Sequence, residues 1–295
     1  MQTVNFYLLP IKSYQTLSSQ AVRDLVELCN QIMNNADIIK IPFSFFDSDS
    51  DGTNLYSDEY YEKSNSDIKQ LINLIGKIKT ENHVETVDGI DTENYHNRFV
   101  SANTPNEDDD EHIIRNKTEL LKNYQESAFC LPDFPELFDW KTKCFPVVLF
   151  TEDSFGPQHN PFHGEAQPVY RTLLQQTIQC LTTLNNQTYR LLRMDIAKRI
   201  AHLQAALSGI SCTGKGSNEN TDYNKNVSVR INGADSEHTI SCVPHFKLIR
   251  RNSDYRIYFS WGKEEIEKNA FIVVKIGNHW NDRIDSGLSR IELHS

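Results

Sequence analysis

The chain has 295 residues, of which 38% are hydrophobic and 24% charged, so it can build a core and is not globally disordered. A formal net charge of -10 excludes a protein that coats nucleic acid without sequence preference, because phosphate binding depends mainly on cationic side chains. No apolar run approaches the ~18 residues that span a bilayer, and no leader pattern opens the chain, so we expect a cytoplasmic protein without a membrane segment. Six scattered cysteines without CxxC spacing favour reduced thiols over a zinc site or a disulfide scaffold.

The first part of the chain predicts alternating strands and helices. Residues 4–9 read as a strand, residues 18–34 as a helix with apolar residues at spacings of three and four, and residues 38–46 as a second strand. A polar stretch, 47–111, then carries 17 acidic and 5 basic residues. It contains one predicted helix, 66–79, whose first residue, Ser66, is a suitable N-cap. We interpret the rest of this stretch as solvated loop.

The segment from Asp47 to Asp58 has the pattern D-x-D-x-D-G with an acidic residue at position 12, as in a calcium loop. Alternate carboxylates and a glycine turn allow oxygen atoms to converge on a Ca²⁺ ion. However, position 12 is aspartate rather than glutamate, and the preceding segment reads as a strand. We therefore interpret the segment as a solvated acidic loop, with a calcium-tuned regulator as the alternative.

The second part of the chain predicts a short buried strand, then helices, then a sheet. Residues 145–150 are typical of a buried strand, and residues 168–209 predict two amphipathic helices with a break at Asn185-Asn186, a helical hairpin. The Gly/Ser/Asn-rich stretch 211–226 has the composition of a domain boundary. Three strands that predict an antiparallel meander follow at 239–249, 254–261 and 270–276.

These elements predict an α+β protein of two modules. Residues 1–165 form an acidic α+β module with a long polar insertion at 47–111, and residues 166–295 form a helical hairpin with a small antiparallel sheet. The charge is uneven, because residues 225–295 carry 11 basic and 9 acidic residues while the remainder is strongly acidic. An acidic body with a mildly basic β region is the first indication of function.

One face of the predicted sheet combines cationic and proton-transferring side chains. Alternate residues of a strand share a face, so His245 and Lys247 of one strand are expected beside Arg256 and Tyr258 of the next. Cations can hold a phosphate and stabilise its developing charge, and an imidazole or a phenol can transfer protons. The pattern predicts a metal-independent phosphodiester site. The alternative is a half-buried strand with a solvated outer face.

The string Asp254-Tyr255-Arg256-Ile257-Tyr258-Phe259, followed by an apolar strand that ends Ile276-Gly277-Asn278-His279, resembles the RelE/ParE superfamily of bacterial toxins. The resemblance covers about residues 170–285 and implies a small antiparallel sheet packed on helices. It further implies an endoribonuclease, like the family members that cut mRNA on the ribosome, with no cofactor or metal. Catalytic side chains implied by the match are Arg256 and, as weaker matches, Tyr258, Lys247 and His279; the shared strand face adds His245 to the candidate catalytic residues. Asn278 departs from the pattern, and ParE-like members poison gyrase, so this fold does not fix the activity.

The string from Cys144 to Gly156 resembles uncharacterised bacterial proteins of phage-defence neighbourhoods. We therefore expect a toxin-type or anti-phage defence effector, with RNA or the ribosome as partner of the C-terminal sheet. The acidic N-terminal module is expected to bind a protein partner, and no membrane contact is expected. The alternative is a non-catalytic interaction subunit of a defence or toxin–antitoxin complex, in which the RelE-like fold is degenerate.

Overall fold

A computed structural model describes most of the chain. The described residues are 3–9, 17–43, 61–62, 64–86, 89–91, 94, 96–102, 113–214, 226–231, 237–248, 255–262, 266, 270–280 and 288–291. The segment Asp47–Asp58, with its calcium-loop pattern, lies outside them. The predicted mixture of helices and strands is confirmed. The chain divides into two compact units, Met1–Ser127 (unit 1) and Ala128–Ser295 (unit 2).

Unit 1 is built on a parallel sheet. Its strands are β1 (Asn5–Leu8), β2 (Ile38–Pro42), β3 (His83–Val84), β4 (Asn97–Val100) and β5 (Ile113–Ile114). Its helices are α1 (Ser19–Asn34), α2 (Ser66–Ile75) and α3 (Lys117–Ala128), which runs to the boundary with unit 2. The strands lie in the order β3-β2-β1-β4-β5, and each of these pairings is parallel.

The helices of unit 1 begin where side chains satisfy the first backbone N–H groups. Ser18 accepts a hydrogen bond from the N–H of Ala21 and caps α1. The prediction that Ser66 caps α2 is wrong: Asn65 is the N-cap, because its side chain accepts from two backbone N–H groups of the first turn. A buried carboxylate, Asp37, ties the sheet to α3, since it accepts from the N–H of Val4 and the hydroxyl of Tyr124.

Unit 2 combines helices with two sheets. Its helices are α4 (Phe134–Cys144), α5 (Gln167–Leu192) and α6 (Ile196–Ala206). Its strands are β6 (Val148–Phe150), β7 (Ser211–Thr213), β8 (Asn226–Ile231), β9 (Glu237–Ser241), β10 (His245–Lys247), β11 (Arg256–Ser260), β12 (Phe271–Gly277) and β13 (Leu288–Ile291).

The larger sheet of unit 2 has the order β6-β12-β11-β10-β7. Strands β10, β11 and β12 are antiparallel neighbours, which is the meander that the sequence predicts. Strand β7 extends this sheet beside β10, and β6 adds a parallel edge beside β12. The smaller sheet has the order β13-β8-β9, with β13 parallel and β9 antiparallel to β8.

The boundary between the units differs from the one expected near residue 165. Residues 128–165 belong to unit 2, because β6 pairs with β12 and the backbone N–H of Phe134 donates to the hydroxyl of Tyr170. Nor does the stretch 211–226 separate domains, since β7 and β10 on its two sides lie in one sheet. Composition shows where the chain is polar. It does not show which strands on the two sides of a polar segment pair with each other, and the domain boundary depends on that pairing.

Two predicted elements of unit 2 are corrected. Helix α5 continues through Asn185, because this buried side chain accepts a hydrogen bond from the N–H of Val147 and so is satisfied within the helix. The break between the two helices is formed by residues 193–195, directly before α6. The predicted strand 239–249 is two strands, β9 and β10, in different sheets. Pro244 lies between them, and proline has no N–H to continue a ladder.

In the described part of the chain, the helices are either too short or too polar to cross a bilayer. The cysteines form no disulfide among the residues that the structure describes, and Cys130 is the exposed one. Burial raises the pKa of the thiols to about 12 at Cys29, Cys212 and Cys242. These thiols are protonated near neutral pH, so they are poor nucleophiles.

Candidate functional site

The register of the larger sheet places four of the five proposed catalytic residues in two adjacent rows. His245 lies opposite Tyr258, and Lys247 lies opposite Arg256. On the next strand, Lys275 follows Tyr258 in its row, and Gly277 follows Arg256. Directly opposed residues of antiparallel strands point to the same face. The fifth residue, His279, comes two positions after the end of β12.

Two residues of one row, His245 and Tyr258, are buried, contrary to the expectation of an open surface. The Tyr258 side chain is fully buried, and its hydroxyl oxygen accepts a hydrogen bond from the backbone N–H of Trp280 at 3.0 Å. Their rings meet edge to face at a centroid separation of 5.3 Å. A hydroxyl held in this way cannot exchange protons with a ligand in solution.

His245 is also buried, with both ring nitrogens in contact with neighbouring groups. Its Nδ1 lies 2.9 Å from the carbonyl oxygen of Val243, so Nδ1 carries the proton in the neutral ring. Its Nε2 lies 3.0 Å from the hydroxyl of Thr213 and accepts from it. The imidazole therefore joins β10 to β7 and the segment before β10. Its contacts are those of a structural residue.

The smaller sheet explains why this row is covered. Tyr258 and Trp280 belong to one apolar cluster with side chains of β8, β9 and β13. The other members of that cluster include Val227, Val229, Ile240 and Ile291. Two of these three strands, β8 and β13, have no counterpart in the elements predicted from sequence. The alternation of polar and aromatic residues in β11 predicts a face that is open to solvent. In the structure this face packs against the smaller sheet.

The cationic side chains of this face, unlike His245 and Tyr258, remain accessible to solvent. We define the basic face as Lys247, Arg256, Lys275 and His279. The three cationic side chains are half-buried and His279 is exposed. Lys275 was not singled out from the sequence, although the period of two places it on the same face as Gly277. Lys247, Arg256 and Lys275 come from three adjacent strands, and His279 follows the last of these.

Backbone contacts hold the basic face in place. An Nη atom of Arg256 donates to the carbonyl oxygen of Tyr255 at 2.8 Å. The ammonium group of Lys275 donates to the carbonyl oxygen of His279 at 3.4 Å. The Nδ1 atom of His279 lies 3.2 Å from the carbonyl oxygen of Trp280, which leaves Nε2 as the nitrogen that can accept or release a proton.

A loop from the first part of unit 2 borders the basic face at Gly277. This glycine has φ of 140°, and a Cβ built on it lies 3.6 Å from the carbonyl oxygen of Pro161. The N–H of Ile276 donates to the carbonyl oxygen of Ser154 at 2.7 Å. Tyr255, the residue before β11, donates its hydroxyl to the carboxylate of Glu165 in the same loop. The loop therefore contacts both β12 and the start of β11.

The electrostatics of the basic face favour an anion. Lys247 and Arg256 oppose each other directly, and like charges in this position destabilise a strand pair. An anion held between them offsets that repulsion. Phosphate suits the arrangement, because a guanidinium donates two parallel hydrogen bonds to it and an ammonium adds a point charge.

Metal coordination has no support in the described part of the chain, where no group of three or more His, Cys, Asp or Glu side chains is close enough to hold an ion. His159 in the bordering loop stacks on Phe138, with ring centroids 3.5 Å apart and planes within 6°. This half-buried histidine packs against the core of unit 2.

Comparison with known proteins gives no match to a family model, to a curated protein or to a solved structure.

Proposed function

We propose that the chain is a toxin-type or anti-phage defence effector that acts on RNA, and that the basic face of unit 2 holds the RNA phosphates. The observation that carries the proposal is the direct opposition of Lys247 and Arg256, with Lys275 on the next strand and His279 just after the end of that strand. Phosphate contacts by lysine and arginine supply most of the affinity of sequence-independent nucleic-acid binding. The resemblance to RelE-like toxins agrees with this use of the sheet.

Cleavage on this face requires no metal and no cofactor. The 2′-hydroxyl oxygen of one nucleotide attacks the adjacent phosphorus while the bond from phosphorus to the 5′ oxygen breaks. His279 Nε2 takes the proton of the attacking hydroxyl and returns it to the departing oxygen, so the products are a cyclic 2′,3′-phosphate and a free 5′-hydroxyl. Arg256 stabilises the negative charge that grows on the phosphate oxygens. Tyr258 and His245 take no part, because both are buried.

The second candidate is a non-catalytic interaction subunit. The burial of His245 and Tyr258 favours it, because two of the expected proton-transfer groups do not reach the surface. The acidic composition of the stretch 47–111 suits a basic partner. In this alternative the basic face binds RNA or an acidic protein but does not cleave.

The salt dependence of RNA binding tests the basic face. Affinity of the purified full chain for a labelled single-stranded RNA is measured by fluorescence anisotropy between 50 and 200 mM salt. Each phosphate contact to a single strand contributes about -0.7 to the slope of log K against log salt. The double variant Lys247→Ala/Arg256→Ala should therefore have a slope shallower by about 1.4. Across this salt range, the factor by which its affinity falls should be about sevenfold smaller than the factor for the wild type.

A matched control removes one lysine and one arginine elsewhere in unit 2. Lys198 and Arg230 are exposed and lie outside the basic face, so Lys198→Ala/Arg230→Ala should leave the slope unchanged. If both double variants change the slope equally, RNA is attracted by general charge and the proposed surface is wrong. If the wild-type chain does not bind RNA, the proposal as a whole is wrong.

Cleavage is followed on denaturing gels with a chelator present. We expect His279→Gln to slow cleavage about 100- to 10,000-fold, the usual contribution of general acid–base catalysis, while RNA affinity is retained. Induced expression in a bacterial host should arrest growth, and Arg256→Ala should relieve the arrest. Binding without cleavage, together with normal growth, selects the interaction subunit instead.

A further inference from the structure

Unit 2 contains an open cleft that the basic face does not use. Its volume is about 630 Å³, within the range of about 300–1,000 Å³ typical of small-molecule sites. Its walls come from the first half of α6, the segment between β9 and β10, and the end of β11 with the turn that follows. It lies at the far end of β10 and β11 from Lys247 and Arg256.

The walls of the cleft are mainly apolar and include one large aromatic ring. The apolar lining side chains are Ile196, Ala197, Ile200, Val243, Pro244 and Trp261. Ile196 is 61% exposed, an unusual position for a large aliphatic side chain at the start of a helix. Backbone at Gly214 passes close to α6, since a Cβ there comes within 3.1 Å of Ile200. Glycine at this position therefore allows the backbone to pass this close to Ile200.

The Trp261 ring is held in a fixed orientation. Its centroid lies 5.1 Å from that of Phe259 and 5.6 Å from that of Phe271, both in edge-to-face contact. The guanidinium carbon of Arg199 lies 5.4 Å from the Trp261 centroid. An indole that is packed in this way and still lines a cleft is a preformed stacking platform, which reduces the entropy lost when a flat ligand binds.

Arg199 positions this ring and is not placed to bind an anion. Its Nε donates to the carbonyl oxygen of Met194 at 3.1 Å, and an Nη atom donates to that of Leu192 at 3.4 Å. Partial desolvation lowers the pKa of the half-buried Arg199 from its usual value. None of the described residues that line the cleft is ionisable. The cleft therefore suits a neutral ligand.

Two hydroxyl groups supply hydrogen bonds at the edge of the apolar wall. Ser241 and Ser260 both line the cleft. The Ser260 oxygen accepts a hydrogen bond from the N–H of Gly262 at 3.3 Å, so its own proton can be donated to a ligand. A ligand that matches these walls is flat, uncharged and polar at its edge.

We propose that this cleft takes an unpaired nucleobase, stacked on Trp261 and hydrogen-bonded at its edge by the two serines. The inference rests on the proposed function, because the base belongs to an RNA strand whose phosphates lie on the basic face. Strand β11 joins the two sites, with Arg256 at one end and Ser260 at the other. Four steps of about 3.3 Å separate them by about 13 Å along the strand. The smaller sheet covers Tyr258 between them, so an RNA strand that binds both sites needs additional nucleotides to pass around it. Single-stranded RNA is recognised by such splayed bases on aromatic side chains.

The test separates stacking from phosphate binding. Trp261→Leu should weaken the binding of labelled single-stranded RNA about 5- to 150-fold, the usual effect of losing one base–aromatic stack, with no change in the salt slope. Ala197→Phe fills the cleft from the exposed side of α6 without touching the core, and it should weaken binding in the same way. Tyr189→Leu is the matched control, because Tyr189 is 70% exposed on α5 and lies outside the cleft.

Neutral nucleosides test the cleft without the phosphates. Adenosine and uridine should quench tryptophan fluorescence of the full chain, and Ala197→Phe should abolish the quenching. The double variant Lys247→Ala/Arg256→Ala should quench as the wild type does. Cyclohexanol, an aliphatic probe of similar bulk, should not compete with adenosine.

Each outcome has a distinct meaning. If RNA binds with the expected salt slope but Trp261→Leu and Ala197→Phe bind as tightly as Tyr189→Leu, the inference is wrong while the proposed function stands. If nucleosides bind but RNA does not, the proposed function is wrong while the cleft remains a base site. Equal competition by cyclohexanol identifies a general apolar cleft and overturns the assignment to a nucleobase.

Discussion

Replacing Tyr258 with phenylalanine separates the structural role of this residue from a catalytic one. The Tyr258 hydroxyl accepts the backbone N–H of Trp280 inside the apolar cluster that joins the two sheets of unit 2. Phenylalanine fills the same space but leaves that N–H buried without its acceptor. Such a group costs about 1–3 kcal/mol of unfolding free energy. For a unit of this size, we expect the unfolding temperature to fall by about 2–12 °C.

The measurement is simplified by the tryptophans, since Trp140, Trp261 and Trp280 all belong to unit 2. Tryptophan fluorescence in a thermal or urea titration therefore reports unit 2 alone. Tyr189→Phe is the matched control, because it removes an exposed hydroxyl and should change stability by less than about 0.5 kcal/mol. RNA affinity of Tyr258→Phe should equal that of the wild type. A variant with normal stability but lost RNA cleavage would show that the hydroxyl reaches the substrate, and the assignment as structural would be wrong.

Three further outcomes are expected. Iodoacetamide at pH 8 should label Cys130 first, because Cys130 is exposed. A pKa of about 12 leaves only about one thiol in ten thousand ionised at Cys29, Cys212 and Cys242. The labelling order is read by mass spectrometry, and early labelling of a buried thiol contradicts this prediction. Gly277→Ala should destabilise unit 2 by about 1–3 kcal/mol, measured by tryptophan fluorescence, because its φ of 140° is strained for any side chain. Asp37→Ala should destabilise unit 1 by roughly 2–5 kcal/mol, followed by circular dichroism, because it removes the carboxylate that accepts from two buried donors.

Sequence reasoning succeeded where local chemistry decides the structure. The apolar stripe after Ser18 locates α1, and β-branched and aromatic content locates β11 and β12. It failed at Asn185, where the partner of the side chain is a backbone group 38 residues away in the chain. A local pattern cannot show that a helix-breaking residue has a distant partner.

The candidate site shows the same division. Strand alternation predicts Lys247 and Arg256 on one face, because a period of two is a property of each strand alone, whereas their direct opposition depends on the register between the strands. It gives no sign that β8 and β13 cover Tyr258, since that coverage depends on strands whose sequences carry weak signals. The cleft beside Trp261 was not predicted for the same reason, as its walls are brought together from separate parts of the chain.

The parallel pairing of β6 with β12 has a consequence for biosynthesis. Val148 and Phe271 are direct partners, so the edge strand β6 and the strand that it pairs with are 123 positions apart in the chain. At about 5–20 residues per second, a ribosome takes ~6–25 s to supply the second strand after the first. During that interval β6, a wholly apolar strand in the folded protein, has no ladder to join. Nascent unit 2 is therefore a candidate client for chaperones that bind short apolar segments during translation.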